Sequence, residues 1–164
     1  MSADVHGFNA LGDAEARHLL ASCLDVPRWV EEVNAGRPYA DLDALLAAAD
    51  SSARTLSAQE LDSALAGHPR IGERAGAGHN AEASSREQAG VDTRDADVAS
   101  RLVAGNAAYE ERFDRVFLIR AAGRSGEEIL AELERRLGND DDTERAEVVD
   151  NLREITLLRL EQAV

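Results

Sequence analysis

The chain has 164 residues, enough for one domain with its own core, and 44% of them are hydrophobic, which excludes disorder throughout. Eighteen basic residues, all arginine, face 32 acidic ones for a formal charge of −14, so nucleic acid is excluded as a partner and a small anionic substrate needs locally gathered cations. Alanine and leucine dominate the apolar set and aromatics reach only 4%, a mix that favours helices over sheet.

Gly12 and Asp13 precede a first helix through about Ser22. Asp25 and Pro27 open a second, with Trp29, Val30 and Val33 on one side. Tyr39, Leu42, Leu45, Leu46 and Ala49 recur at three and four residues, the pattern of an amphipathic helix. Ser57 and Glu60 have capping-box spacing, and the helix they start is expected to end at Gly67, because Pro69 forbids continuation. A glycine-rich loop follows from Ile71 to His79, and Ser84 with Glu87 repeats the capping spacing. A long helix spans about Asp95 to Phe113. The apolar piece from Arg115 to Ala121 reads as strand-like or extended. Ser125 and Glu128 cap a helix that buries Leu130, Leu133 and Leu137 and stops at Gly138. The last helix runs from near Asp142 almost to the end, its start marked by the acidic run at 140–142. These elements predict an all-α fold, a single compact helical domain of about seven to eight helices over residues 1–164.

The lone Cys23 excludes an internal disulfide, fits a reducing cytoplasmic setting, and reads as a small buried residue. The first residues lack a basic-then-apolar signal, no apolar run is long enough for a membrane, and the final residues are no peroxisomal address.

Four polar residues carry the chemical reading. His68 follows a helix C-terminus, where the partial negative charge favours imidazolium, and Pro69 restricts its backbone to extended angles. A histidine there also serves as a simple C-cap. Glu87 is a carboxylate that fixes an imidazole tautomer if the two converge, and otherwise an ordinary capping residue. Arg159 falls inside the apolar stripe of Val148, Leu152 and Ile155, whereas Arg153 lies to the side. A guanidinium aimed at a core needs a carboxylate or an anionic ligand. Asn106 shares a face with Val98, Leu102, Tyr109 and Phe113, so its amide points inward and must be hydrogen-bonded. The glycines from Gly72 to Gly78 do not fit a phosphate loop, and His6, His18, His68 and His79 lack zinc-ligand spacing.

Taken together and in order, these segments resemble the OHCU decarboxylase family, where OHCU is 2-oxo-4-hydroxy-4-carboxy-5-ureidoimidazoline. The resemblance runs from Phe8-Asn9 through Cys23, Trp29 and Gly36-Arg37-Pro38 to His68-Pro69-Arg70-Ile71-Gly72 and Ser84-x-x-Glu87-Gln88. It continues through Asn106-x-x-Tyr109-x-x-Arg112-Phe113, Phe117-Leu118-Ile119, Gly123-Arg124-Ser125 and Glu154-Ile155 to Leu158-Arg159-Leu160. It implies an all-helical homodimer that converts the ureidoimidazoline to (S)-allantoin in urate degradation with no cofactor and no metal. By motif position, His68 is the catalytic histidine, Glu87 its carboxylate partner and Arg159 the substrate arginine. Pro69, the run Ser84, Ser85, Arg86, Glu87 and Gln88, and the run Phe117, Leu118, Ile119, Arg120 and Ala121 match substrate-contacting stretches. Two departures stand out: Asp114 where a glycine commonly follows Arg-Phe, and Arg120 where many members have a small residue.

Three other readings compete with this one. They are a non-catalytic acidic helical interaction module, a metal-dependent hydrolase using His68, His79 and Glu87, and a decarboxylase or hydrolase of a related ureido compound.

Overall fold

A computed structural model describes residues 4–66 and 96–164. Among the described residues there are eight helices and no strand. They are α1 (Val5–Ala10), α2 (Asp13–Cys23), α3 (Pro27–Ala35), α4 (Leu42–Ala53), α5 (Ala58–Leu65), α6 (Ala96–Phe113), α7 (Gly126–Arg136) and α8 (Asp141–Ala163). The expected glycine-rich loop and the Ser84–Glu87 box lie outside the described residues. The chain divides into two compact units, Met1–Ala64 with Arg153–Val164, and Leu65–Leu152.

In the first unit α2 packs on α3, and α3 on α4. Trp29 is fully buried, and its indole N–H donates to Ala49 O at 3.0 Å, so the largest apolar side chain leaves no polar group unpaired. The α5 start is the reciprocal box read from the sequence. Glu60 N–H donates to Ser57 Oγ at 3.1 Å, and Ser57 N–H donates to the Glu60 carboxylate at 2.9 Å. Pro27 opens α3 in its first turn as expected, while the N-cap is Val26 rather than Asp25 and no side chain caps the helix.

Two corrections concern the N-terminal region. Helix α1 was not foreseen; it is only six residues, is capped by Asp4, and buries just Val5 and Phe8. Tyr39 does not join α4, whose N-cap is Asp41. Its hydroxyl instead donates to Val33 O at 2.6 Å and occupies the space where a Cβ on Gly36 would sit. Asn9 clasps the Tyr39 main chain with two 2.8 Å hydrogen bonds, and Arg37 Nη1 donates to Phe8 O at 2.9 Å and Leu11 O at 3.0 Å. Phe8-Asn9 and Gly36-Arg37-Pro38, far apart in sequence, therefore form one structural clasp.

In the second unit α6 packs on α7 around Val98, Leu102, Tyr109, Phe113, Ile129 and Leu133. Gly105 permits this approach, since a Cβ there would meet Leu133 Cδ2 at 2.5 Å. Helix α6 ends on Asp114, which has φ 55° and donates its N–H to Glu110 O at 2.9 Å, a left-handed cap made without glycine.

Candidate active site

The segment over residues 117–121 leaves α6 through Asp114 and ends at a β-turn in which Arg124 N–H donates to Ala121 O at 3.1 Å. Gly123 supplies the positive φ of 79° that the turn requires. Phe117, Leu118, Ile119 and Ala121 are buried, and Arg120 is half-buried. The segment belongs to no helix and, among the described residues, to no strand, and side chains hold its main chain at two points. Arg136 Nη1 donates to Leu118 O at 2.8 Å, and Arg120 N–H donates to Asn151 Oδ1 at 3.0 Å. Asn151 is itself aimed by its amide, which donates to Glu147 O at 2.9 Å.

Arg136 is fully buried, and so is its partner Glu144. Nε and Nη2 both donate to the carboxylate, at 3.0 and 2.5 Å, while the guanidinium lies 4.6 Å from the Phe117 ring centroid. Tyr109 donates its hydroxyl to Glu144 Oε2 at 2.5 Å, and its ring meets Phe117 edge-on at 5.2 Å. Such a buried ion pair is tolerable only when the remaining donors and acceptors are used; here the spare Nη1 goes to Leu118 and the carboxylate also takes Tyr109. Burial first, then the hydrogen bond to Glu144, pushes the Tyr109 phenol well above its ordinary range. It exchanges no proton near neutrality, which makes it a brace and not an acid.

Arg159 is 5% exposed, four residues beyond the buried Ile155, as the helical spacing predicted. Arg153, to the side, pairs with Asp50 at 2.6 Å. Cys23 is buried near the Arg159 charge. Burial pushes its thiol up to about 11, against the downward pull of a Ser22 hydrogen bond and of Arg159. Cys23 is therefore a packing residue and a poor nucleophile. Asn106 is 5% exposed, so its amide does face inward.

A family model described as OHCU decarboxylase matches residues 9–161. The chain belongs to the OHCU decarboxylase family. Within that family, a 2-oxo-4-hydroxy-4-carboxy-5-ureidoimidazoline decarboxylase of Amia calva is 32% identical over 98% of this chain and 94% of that protein. A decarboxylase of the same name from Haloferax volcanii is 29% identical over 80% of this chain and 79% of its own. The uric acid degradation bifunctional protein of a Bacillus species is 26% identical over 94% of this chain, which spans 31% of that protein's length. Among solved structures, an OHCU decarboxylase in the presence of (S)-allantoin matches with a TM-score of 0.72 at 22% identity, over 87% of this chain and 94% of its own. An (S)-allantoin synthase matches with a TM-score of 0.71 at 17% identity, over 98% of this chain and 53% of its own. Both matches show the shared helical fold.

Of the site residues expected for an OHCU decarboxylase, the run from Phe117 to Ala121 lies in the second unit and Arg159 in the first. His68, Pro69, Ser84, Ser85, Arg86, Glu87 and Gln88 lie outside the described residues, as does His79. Among the described residues no group of three or more His, Cys, Asp or Glu could hold a metal ion, and no helix is long and apolar enough to cross a membrane. Sequence reasoning missed Arg136 and Glu144. The signal was available: Glu144 is four residues before Val148 on the stripe that also holds Leu152, Ile155 and Arg159, and Arg136 follows Ile129 and Leu133 on the buried face of α7.

Proposed function

We propose that the protein is a carboxy-lyase that decarboxylates 2-oxo-4-hydroxy-4-carboxy-5-ureidoimidazoline to (S)-allantoin in urate breakdown. The observation that carries this is the end-to-end match to the decarboxylase of Amia calva, 32% identical over 98% of the chain. The sequence motifs His68-Pro69, Ser84-x-x-Glu87-Gln88 and Arg159 support the same reading.

The chemistry asks little of a cofactor. Loss of carbon dioxide leaves an electron pair on a ring carbon, and the substrate delocalises that pair into its own ring. The protein must then orient the carboxylate, stabilise the charge that develops, and deliver one proton to that carbon from one face. His68, held in its tautomer by Glu87, is the proton donor; its ordinary pKa of about 6.5 makes both forms accessible near neutrality. Delivery from one face yields a single enantiomer. The segment 117–121 and the run 84–88 hold the planar ureido and ring amides. Arg159 binds the anionic substrate, and it accelerates the reaction only where it contacts oxygen atoms that gain charge as carbon dioxide leaves. A tight grip on the departing carboxylate supplies affinity instead. In this reading the whole chain acts as one catalytic domain, pairs with a second copy as a homodimer, and works in the cytoplasm without cofactor or metal.

The test supplies substrate fresh from enzymatic urate oxidation and follows allantoin by its circular dichroism. The protein should speed the appearance of (S)-allantoin and should keep doing so after exhaustive chelation. An unchanged rate of racemic product would refute the proposal and leave the interaction-module reading.

A further inference from the structure

We propose that Arg136 and Asn151 are positioning residues that set the main chain around Ile119 for the substrate. The proposal rests on the reading above, in which residues 117–121 contact the ureidoimidazoline.

The two fasteners come from different helices and hold residues on either side of Ile119. From α7, Arg136 takes the Leu118 carbonyl at 2.8 Å. From α8, Asn151 takes the Arg120 N–H at 3.0 Å. Ile119 between them is 3% exposed, and among the described residues its own N–H and C=O make no hydrogen bond. Buried main-chain groups are nearly always paired, so a pair without a partner among the described residues, in the middle of a clamped run, is suited to a ligand that brings both a donor and an acceptor. A planar ureido group does so.

Fold stability alone does not call for this arrangement. A buried Arg–carboxylate pair adds little over an apolar pair of the same volume. What Arg136 provides, and an apolar residue cannot, is a third direction of hydrogen bonding onto Leu118. The guanidinium is fixed in that direction by Glu144 on one side and by the Phe117 ring 4.6 Å away on the other. Neither Arg136 nor Asn151 is proposed to touch the substrate; each acts through the peptide unit it holds.

The test compares steady-state kinetics of Asn151→Leu, Asn151→Asp and the double variant Arg136→Met/Glu144→Gln with the unaltered protein, each first checked for a cooperative melt. Asn151→Leu loses the acceptor for Arg120 and should raise KM about three- to tenfold while kcat moves less than twofold, the loss expected for one misaligned hydrogen-bonding peptide. Asn151→Asp keeps an oxygen acceptor for Arg120 but loses the amide donor to Glu147 O that aims it, and should recover only part of that loss. The double variant removes both charges yet leaves Tyr109 an amide acceptor, and should raise KM at least as much. If the double variant does not fold, Asn151→Leu decides. Folded variants with an unaltered KM would overturn the proposal, as would a lowered melting temperature without a KM change. An unaltered protein that fails to accelerate allantoin formation would instead refute the activity itself, and the positioning role with it.

Discussion

The Glu144 carboxylate takes two donors from the Arg136 guanidinium, the shorter contact 2.5 Å, at a point where neither side chain is exposed. Removing one member of such a pair strands the other charge in the core, which costs about 3–5 kcal/mol. Glu144→Ala should therefore lose roughly that much stability in urea unfolding. Arg136→Met/Glu144→Gln should lose clearly less than the single variant, because no charge is left behind. Equal losses in the two would show that the pair is more open to water than its burial indicates.

Gly105 lets α6 approach α7. Alanine there gains helix propensity of about 1 kcal/mol, but its Cβ would stand 2.5 Å from Leu133 Cδ2. Leu133 is itself fully buried and has little room to yield. Overpacking of this kind costs about 1–3 kcal/mol, so Gly105→Ala should melt lower than the unaltered protein. A higher melting temperature would mean that the two helices part easily.

Asp114 closes α6 at φ 55°, where aspartate is tolerated and a β-branched residue is not. Asp114→Val should lose about 1–3 kcal/mol, and Asp114→Gly should hold its stability, by thermal melts. Equal tolerance of valine and glycine would contradict the assigned turn.

Much of this architecture was legible because its signals are local. The Ser57–Glu60 and Ser125–Glu128 spacings need only residues three apart, and in the structure Glu60 and Glu128 donate their N–H groups to Ser57 and Ser125. Arg159 was legible because a charge inside an apolar stripe stands out by count. Helix α1 was not, since six residues cannot display a period and its docking depends on Asn9 reaching Tyr39, 30 residues away. Tyr39 misled for the same reason: its spacing suited α4, while its hydroxyl is used on Val33. Arg136 and Glu144 carried the same kind of signal on their own stripes, but that they pair with each other, and with Tyr109 and Leu118, depends on tertiary packing that spacing does not display.

Glu147 offers a test of pH dependence. Hydrogen bonding from Arg135, aided by Asn139 and opposed by burial, holds its carboxyl below the ordinary 4.5. A depressed carboxyl contributes its full stability above the unfolded value and loses it as pH falls through the lower folded value. The unaltered protein should melt above Glu147→Gln at pH 7, and the two melting curves should converge as pH falls through the lowered value of the folded state. A gap that persists at acid pH would mean that packing, and not ionisation, is what Glu147 contributes.

Arg159→Ala should raise KM strongly in the urate-oxidation assay, since the buried guanidinium is the proposed holder of the anionic substrate. An unchanged KM would make it a structural arginine.

The most direct test of the whole account is the turnover of His68→Asn on freshly generated substrate, with folding verified by its melt. Loss of a positioned proton donor should reduce kcat by about two to four powers of ten and leave the residual allantoin without enantiomeric excess. Near-normal turnover to (S)-allantoin in that variant would contradict the assignment of His68 as the proton donor.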